Sequence, residues 1–188
     1  MWGREYSRAG DRVLGHGEAK VSPEEAVARL AEIVATRAEF TEQEIYAAMA
    51  AAGIPDPIAD RAYKFTQIAW GRVLLDGLGV RFSPEYTCFN GAGEVIETGR
   101  LTDQPYFAAA TSAAARYAGT PGFRRLALMA AEVYVVNDLL NKGSQPENLV
   151  TTPPALFMEA PTPAGMEKVR QHLTQLTGGR KKPWWRFW

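Results

Sequence analysis

Leu126-Ala127-Leu128-Met129-Ala130-Ala131-Glu132-Val133-Tyr134-Val135-Val136 is the longest apolar run of the chain, interrupted only by Glu132. Its reading decides the fold. It falls far short of the roughly 20 apolar residues that cross a bilayer, so no transmembrane helix is expected. Gly119-Thr120-Pro121 precedes it, which predicts a helix from Pro121 to about Leu140. Because that helix is apolar nearly all round, it is expected to be the buried centre of the fold. On this reading Leu128→Asp buries an unpaired charge and costs several kcal/mol, comparable to the net stability of a whole domain. Glu132 within the run then needs a cationic or hydrogen-bonding partner or a shifted pKa, and Arg116, Arg124 and Arg125 are the nearby candidates.

Working outward, Asp103 to about Tyr117 is alanine-rich and reads as a closely packing helix. On the other side, Gln145 to Pro163 is broken by Pro146, Pro153, Pro154 and Pro161. Its Leu156, Phe157 and Met158 are expected to lie across the core as an extended cover. Thr162-Pro163 starts a last helix that ends near Gly178.

The first half carries its own punctuation. Ser22-Pro23-Glu24-Glu25 has the form of a capping box with proline at the first helical position, and it opens a helix to about Ala38. Ala26, Leu30, Ile33 and Val34 form the apolar face of that helix. Thr41-Glu42-Gln43-Glu44 repeats the capping pattern, and Gly53 is placed to end the second helix in a left-handed conformation. Asp56-Pro57 opens a third helix to about Leu75, with Asp56 and Asp60 read as capping acids favoured by the helix dipole. Tyr86-Thr87-Cys88-Phe89, then Asn90-Gly91-Ala92-Gly93, then Val95, Ile96 and Thr98 read as a β-hairpin.

The fold class is therefore mainly α, a single helical domain with one β-hairpin. Residues 1–21 are an N-terminal arm and 22–177 the domain, in which 22–101 carry three helices and the hairpin, and 102–177 three helices with the proline-rich connection. Residues 178–188 are a Gly-Gly joint and tail. A hydrophobic content of 46% in 188 residues suffices for one core, and 22% charged residues is ordinary for a globular surface. Lys plus Arg and Asp plus Glu each number 21, so any attraction to nucleic acid or anionic membrane has to be local. Charges at Arg4, Glu5 and Arg8 stand where a signal peptide needs an apolar core. Cys88 is the single cysteine, which excludes an intramolecular disulfide and makes a reducing cytoplasm the simplest compartment.

Catalytic and cofactor motifs fail for chemical reasons. His16-Gly17-Glu18 has deaminase-like spacing, but that zinc site needs two further cysteines. Gly91-Ala92-Gly93 has Ile96 where a dinucleotide fingerprint has its third glycine, and it lies in a predicted turn. Lys142-Gly143-Ser144 reverses the order of a phosphate-binding loop. Cys88 with His16 or His172 has the residue types of a nucleophile and base, yet a lone strand cysteine reads as a small buried apolar residue. His172 reads as a complement to the last helix's dipole or as a surface residue. No metal, no cofactor and no catalytic residue is assigned.

Two features point to partners. The helix-helix-helix-hairpin order from Ser22 to Leu101 is the chain order of a winged helix, and Arg61, Lys64 and Arg72 fall within about 80° of one another on the third helix. That stripe makes nucleic-acid binding the runner-up reading. Asp56, Asp60 and Asp76 on the same helix oppose it, because affinity for nucleic acid rests on neutralising several phosphates. The second feature is Arg180, Lys181, Lys182, Trp184, Trp185, Arg186, Phe187 and Trp188, cations interleaved with four large rings after Gly178-Gly179. Each ring can bury about 150–250 Å², and Trp and Arg are the residues most enriched at the energetic centres of interfaces. The expected function is non-enzymatic binding of a protein partner through this tail. Folding back on its own domain, peripheral membrane contact and base stacking are the other uses of the same chemistry, and an enzyme with an unrecognised site is the remaining alternative.

Overall fold

The computed structural model describes residues 21–131 and 149–176. Local capping chemistry sets the first elements. The Ser22 hydroxyl accepts from the Glu25 N–H at 3.2 Å and starts α1 (Pro23–Ala35). Thr41 and Glu44 form the full reciprocal capping box of α2 (Glu42–Ala51). Gly53 follows at φ +76°, and the Ile54 N–H returns to the Met49 carbonyl, closing that helix as expected. The third helix, α3 (Asp56–Asp76), differs in detail from the expectation. Its N-cap is Pro55, no side chain caps it, and Asp56 simply occupies the first turn.

The hairpin forms where its turn chemistry places it. β1 (Glu85–Phe89) pairs antiparallel with β2 (Val95–Arg100), and the Asn90 side chain accepts from the Ala92 and Glu94 N–H groups across the turn. A short 3₁₀ turn (Leu101–Asp103) then leads to α4 (Pro105–Tyr117) and α5 (Pro121–Ala131). The extended cover proves to be a strand. β3 (Ala155–Phe157) lies parallel to β1, with Cys88 opposite Leu156, so the sheet order is β2-β1-β3. The chain closes its described part with α6 (Pro163–Leu176), whose start is capped by the Thr162 hydroxyl on the Gly165 N–H. Among the described residues the fold is thus six α-helices around a small three-stranded sheet.

The centre of this fold is α3, not the helix from Pro121. Between Ala62 and Gly71 every residue except Lys64 is buried. Trp70 is fully buried, donates its Nε1–H to the Ala110 carbonyl of α4 at 3.0 Å, and packs its ring against Phe123 of α5 and Tyr117 of α4. α5 presents one face to α3. Leu126, Ala127, Ala130 and Ala131 are buried, whereas Leu128 is 41% exposed. The apolar run is buried on one face only, because three of its first six residues are alanine, which lets α5 lie close to α3 without needing burial on every side. A Cβ on Gly71 would stand 2.6 Å from the Ala130 Cβ, which measures that closeness. Glu132 and Val133 to Val136 lie outside the described residues.

A second, smaller cluster sits beyond the sheet. Phe89, Val169 and Leu173 pack with Ala155 and Phe157, joining α6 to β1 and β3. The two faces of the sheet are thereby divided: Cys88 and Leu156 belong to the main core, Phe89 and Phe157 to the α6 side.

Candidate functional site

α2, the first turns of α3, the segment from Ala155 to Pro161, and α6 enclose a cleft of about 930 Å³. Such a volume is that of a ligand or peptide site and exceeds ordinary packing defects. Leu156, Phe157, Met158, Met166 and Val169 supply apolar walls, and Glu42, Asp56, Asp60 and Glu159 supply carboxylates against Lys64 and Arg170.

One polar cluster organises the α2–α3 side. Glu42 and Tyr46 are one turn apart on α2, as are Asp60 and Lys64 on α3. The Tyr46 hydroxyl lies 2.8 Å from both Glu42 Oε1 and Asp60 Oδ1, and Lys64 Nζ is 2.8 Å from the same Asp60 oxygen. Lys64 also donates to the Phe157 carbonyl, which fastens β3 to α3. Tyr46 has a single proton for two carboxylate oxygens. Burial first, then the charges of Asp60 and Glu42, push its pKa above the ordinary phenol value, so it stays a donor at physiological pH. Asp60 therefore serves this network and is not a capping residue; its Oδ2 is buried with no hydrogen-bond partner.

The far side is fixed through its own contacts. Glu159 Oε2 accepts from the Gly91 N–H at 3.1 Å, tying the segment after β3 to the hairpin turn. Arg170 is bound to Glu167 one turn earlier, with its Nε 2.6 Å from Glu167 Oε2.

The cations of the third helix each have an intramolecular partner. Arg61 Nη2 is 2.5 Å from Glu97 Oε2, Lys64 joins Asp60 and Phe157, and the Arg72 guanidinium stands 5.5 Å over the Phe82 ring. Glu97 is the hub of a second network, since Tyr86 donates to its Oε1 at 2.5 Å and the Gln104 amide approaches the same oxygen at 3.4 Å. The Arg61 hydrogen bond holds the Glu97 carboxyl below its usual range against the opposing effect of burial. Burial and the bond to Glu97 raise Tyr86 to about 12.

Cys88 and His172 are not brought together as nucleophile and base. Cys88 is fully buried in the main core, and burial together with the Glu97 charge pushes its thiol up to about 12. His172 instead sets its ring edge-on to Phe89, 5.5 Å between centroids, on the α6 side of the sheet. It is half-buried there. Among the described residues no group of three or more His, Cys, Asp or Glu is placed to hold a metal ion. None of the described helices is long and apolar enough to cross a membrane. His16, Lys142, Ser144 and the segment Arg180 to Trp188 lie outside the described residues.

No family model matches the sequence, and no curated protein or solved structure matches it.

Proposed function

We propose that the protein is a non-enzymatic interaction protein that binds a protein partner through Arg180, Lys181, Lys182, Trp184, Trp185, Arg186, Phe187 and Trp188. The observation that carries this reading is the composition of that segment, four large rings interleaved with four cations after Gly178-Gly179. α6 carries the folded chain to Leu176, so the contact chemistry follows the joint directly. The domain's own candidate residues support the same division of labour, because Arg61, Lys64 and Arg72 are engaged internally. Trp184, Trp185 and Trp188 act as anchors, since a ring moving from water into a pocket gains more than a rim cation screened by salt. A reducing cytoplasm is the compartment proposed, supported by the single cysteine.

The test is capture of a partner from the source cell by the intact chain, identification of that partner, and repetition with the purified pair. Replacing Trp184, Trp185 and Trp188 by Ala is expected to weaken binding at least about 30-fold, the loss of one hot spot of about 2 kcal/mol. Retained affinity in that variant overturns the reading. Sedimentation with anionic vesicles would assign the segment to a membrane surface instead, and sequence-selective, salt-resistant retention of a duplex would favour the winged-helix reading through Arg61, Lys64 and Arg72.

A further inference from the structure

We infer that the cleft between α2–α3 and β3–α6 is the seat of this chain's own basic-aromatic segment, Arg180 to Trp188. This goes beyond the proposed interaction and uses the same rings: the segment rests in the cleft while the partner is absent and leaves it to bind, so the two are tested separately. Three observations select the occupant. The first is charge: four carboxylates line the cleft against two cations, while the segment carries Arg180, Lys181, Lys182 and Arg186 and no acid. Among the cleft's own charges, Lys64 is held by Asp60 and Arg170 by Glu167. Asp56, on the first turn of α3, and Glu159, after β3, stand on opposite sides as the carboxylates that a basic peptide would meet.

The second observation is the wall chemistry. Phe157, Met158, Met166 and Val169 offer an aromatic ring, two thioethers and a branched aliphatic surface. Thioethers pack well against aromatic rings and adapt to their shape. The volume of about 930 Å³ accommodates more than one ring.

The third is reach. Met166 and Leu176 are ten residues apart on α6, about 15 Å along the helix. Trp184 follows Leu176 by eight residues, which span up to about 26 Å when extended. Gly178-Gly179 supplies the conformational freedom for the chain to reverse direction there. A segment running back along α6 therefore brings Trp184, Trp185 and Trp188 to the cleft.

The experiment uses the full chain with isotope-labelled methionine methyl groups. Met158 and Met166 line the cleft, and Met49, fully buried in the main core, reports whether the domain is folded. With the segment seated, the tryptophan rings shift the Met158 and Met166 methyl signals upfield. In the variant carrying W184A, W185A and W188A those two signals move downfield while Met49 stays. A second variant, Asp56→Lys, moves them the same way with all rings retained, and added salt moves the parent protein's signals in that direction. Met158 and Met166 signals that are indifferent to the three tryptophans overturn the inference. Shifts that grow with protein concentration assign the cleft to the segment of a second copy and overturn the intramolecular arrangement. Shifts that appear only on adding the captured partner assign it to that partner. Loss of partner binding without any methionine response leaves the interaction standing and removes the cleft, and the opposite pattern does the reverse.

Discussion

Trp70→Ala and Leu128→Asp together test which helix is the centre of the fold. Trp70 is fully buried, its ring centroid lies 4.8 Å from Phe123 and 6.0 Å from Tyr117, and its Nε1–H is bonded to the Ala110 carbonyl at 3.0 Å. A buried tryptophan removes roughly 150–250 Å² from water, about 4–6 kcal/mol at 25 cal/mol per Å². Truncations of this kind cost about 3–5 kcal/mol once the site relaxes. At about 2–4 °C per kcal/mol for a chain of this size, the melting temperature should fall by about 6–20 °C. Leu128 is already 41% exposed, so an aspartate there remains in contact with water. Its cost is the remaining burial of the leucine and the poorer helix propensity of Asp, about 1–2 kcal/mol, or about 2–8 °C. Thermal melts followed by circular dichroism, with urea midpoints as a second measure, rank the two variants. A Leu128→Asp protein that melts at or below Trp70→Ala would refute the placement of α3 at the centre.

Three further outcomes follow from the two networks and the buried thiol. Glu97→Gln should cost about 1–2 kcal/mol at neutral pH, near the low end for a charge-assisted hydrogen bond because the side chain is 30% exposed. Arg61 lowers the folded-state pKa of Glu97, so its contribution is complete above the ordinary carboxylate value of about 4.3 and is lost as pH falls through the folded value. Denaturant titrations from pH 7 downward should therefore show parent and variant converging in acid; a constant gap contradicts the linkage. Cys88 should resist thiol reagents at pH 8 and react only as the domain unfolds, since its pKa is about 12 and it is fully buried; immediate labelling of the native protein would contradict its position. Replacing Arg61, Lys64 and Arg72 together by Ala should lower the melting temperature by leaving Glu97 and Asp60 without their cations. An unchanged melting temperature would show that those pairs contribute nothing.

Local chemistry was legible and tertiary assembly was not. Ser22, Thr41 with Glu44, and Asn90 act on backbone groups two to four residues away, so their consequences can be read from the sequence alone. The burial of α3 was hidden because Asp56, Asp60, Lys64, Arg72 and Asp76 lower its average hydropathy although Ala62 to Gly71 are almost wholly buried. The apolar run from Leu126 stands out by composition, while its packing depends on small residues facing Gly71. The sequence of β3 reads as extended chain, but its pairing with β1 joins residues nearly 70 positions apart, which no local pattern announces. The cleft is half legible in the same sense. The one-turn spacings Glu42–Tyr46 and Asp60–Lys64 are visible in the sequence, whereas the meeting of Tyr46 with Asp60, and of Lys64 with Phe157, needs the fold.

The most direct test of the interaction itself is a titration of the purified partner against three full-length proteins at low and high salt. They are the parent, the Trp184/Trp185/Trp188→Ala variant and the Arg180/Lys181/Lys182→Ala variant. The predicted result is a loss of at least about 30-fold for the ring variant at both salts, with a smaller loss for the cation variant that fades as salt screens the charges. Equal affinity of the parent and the ring variant would contradict the proposal that this segment is what the protein uses to bind.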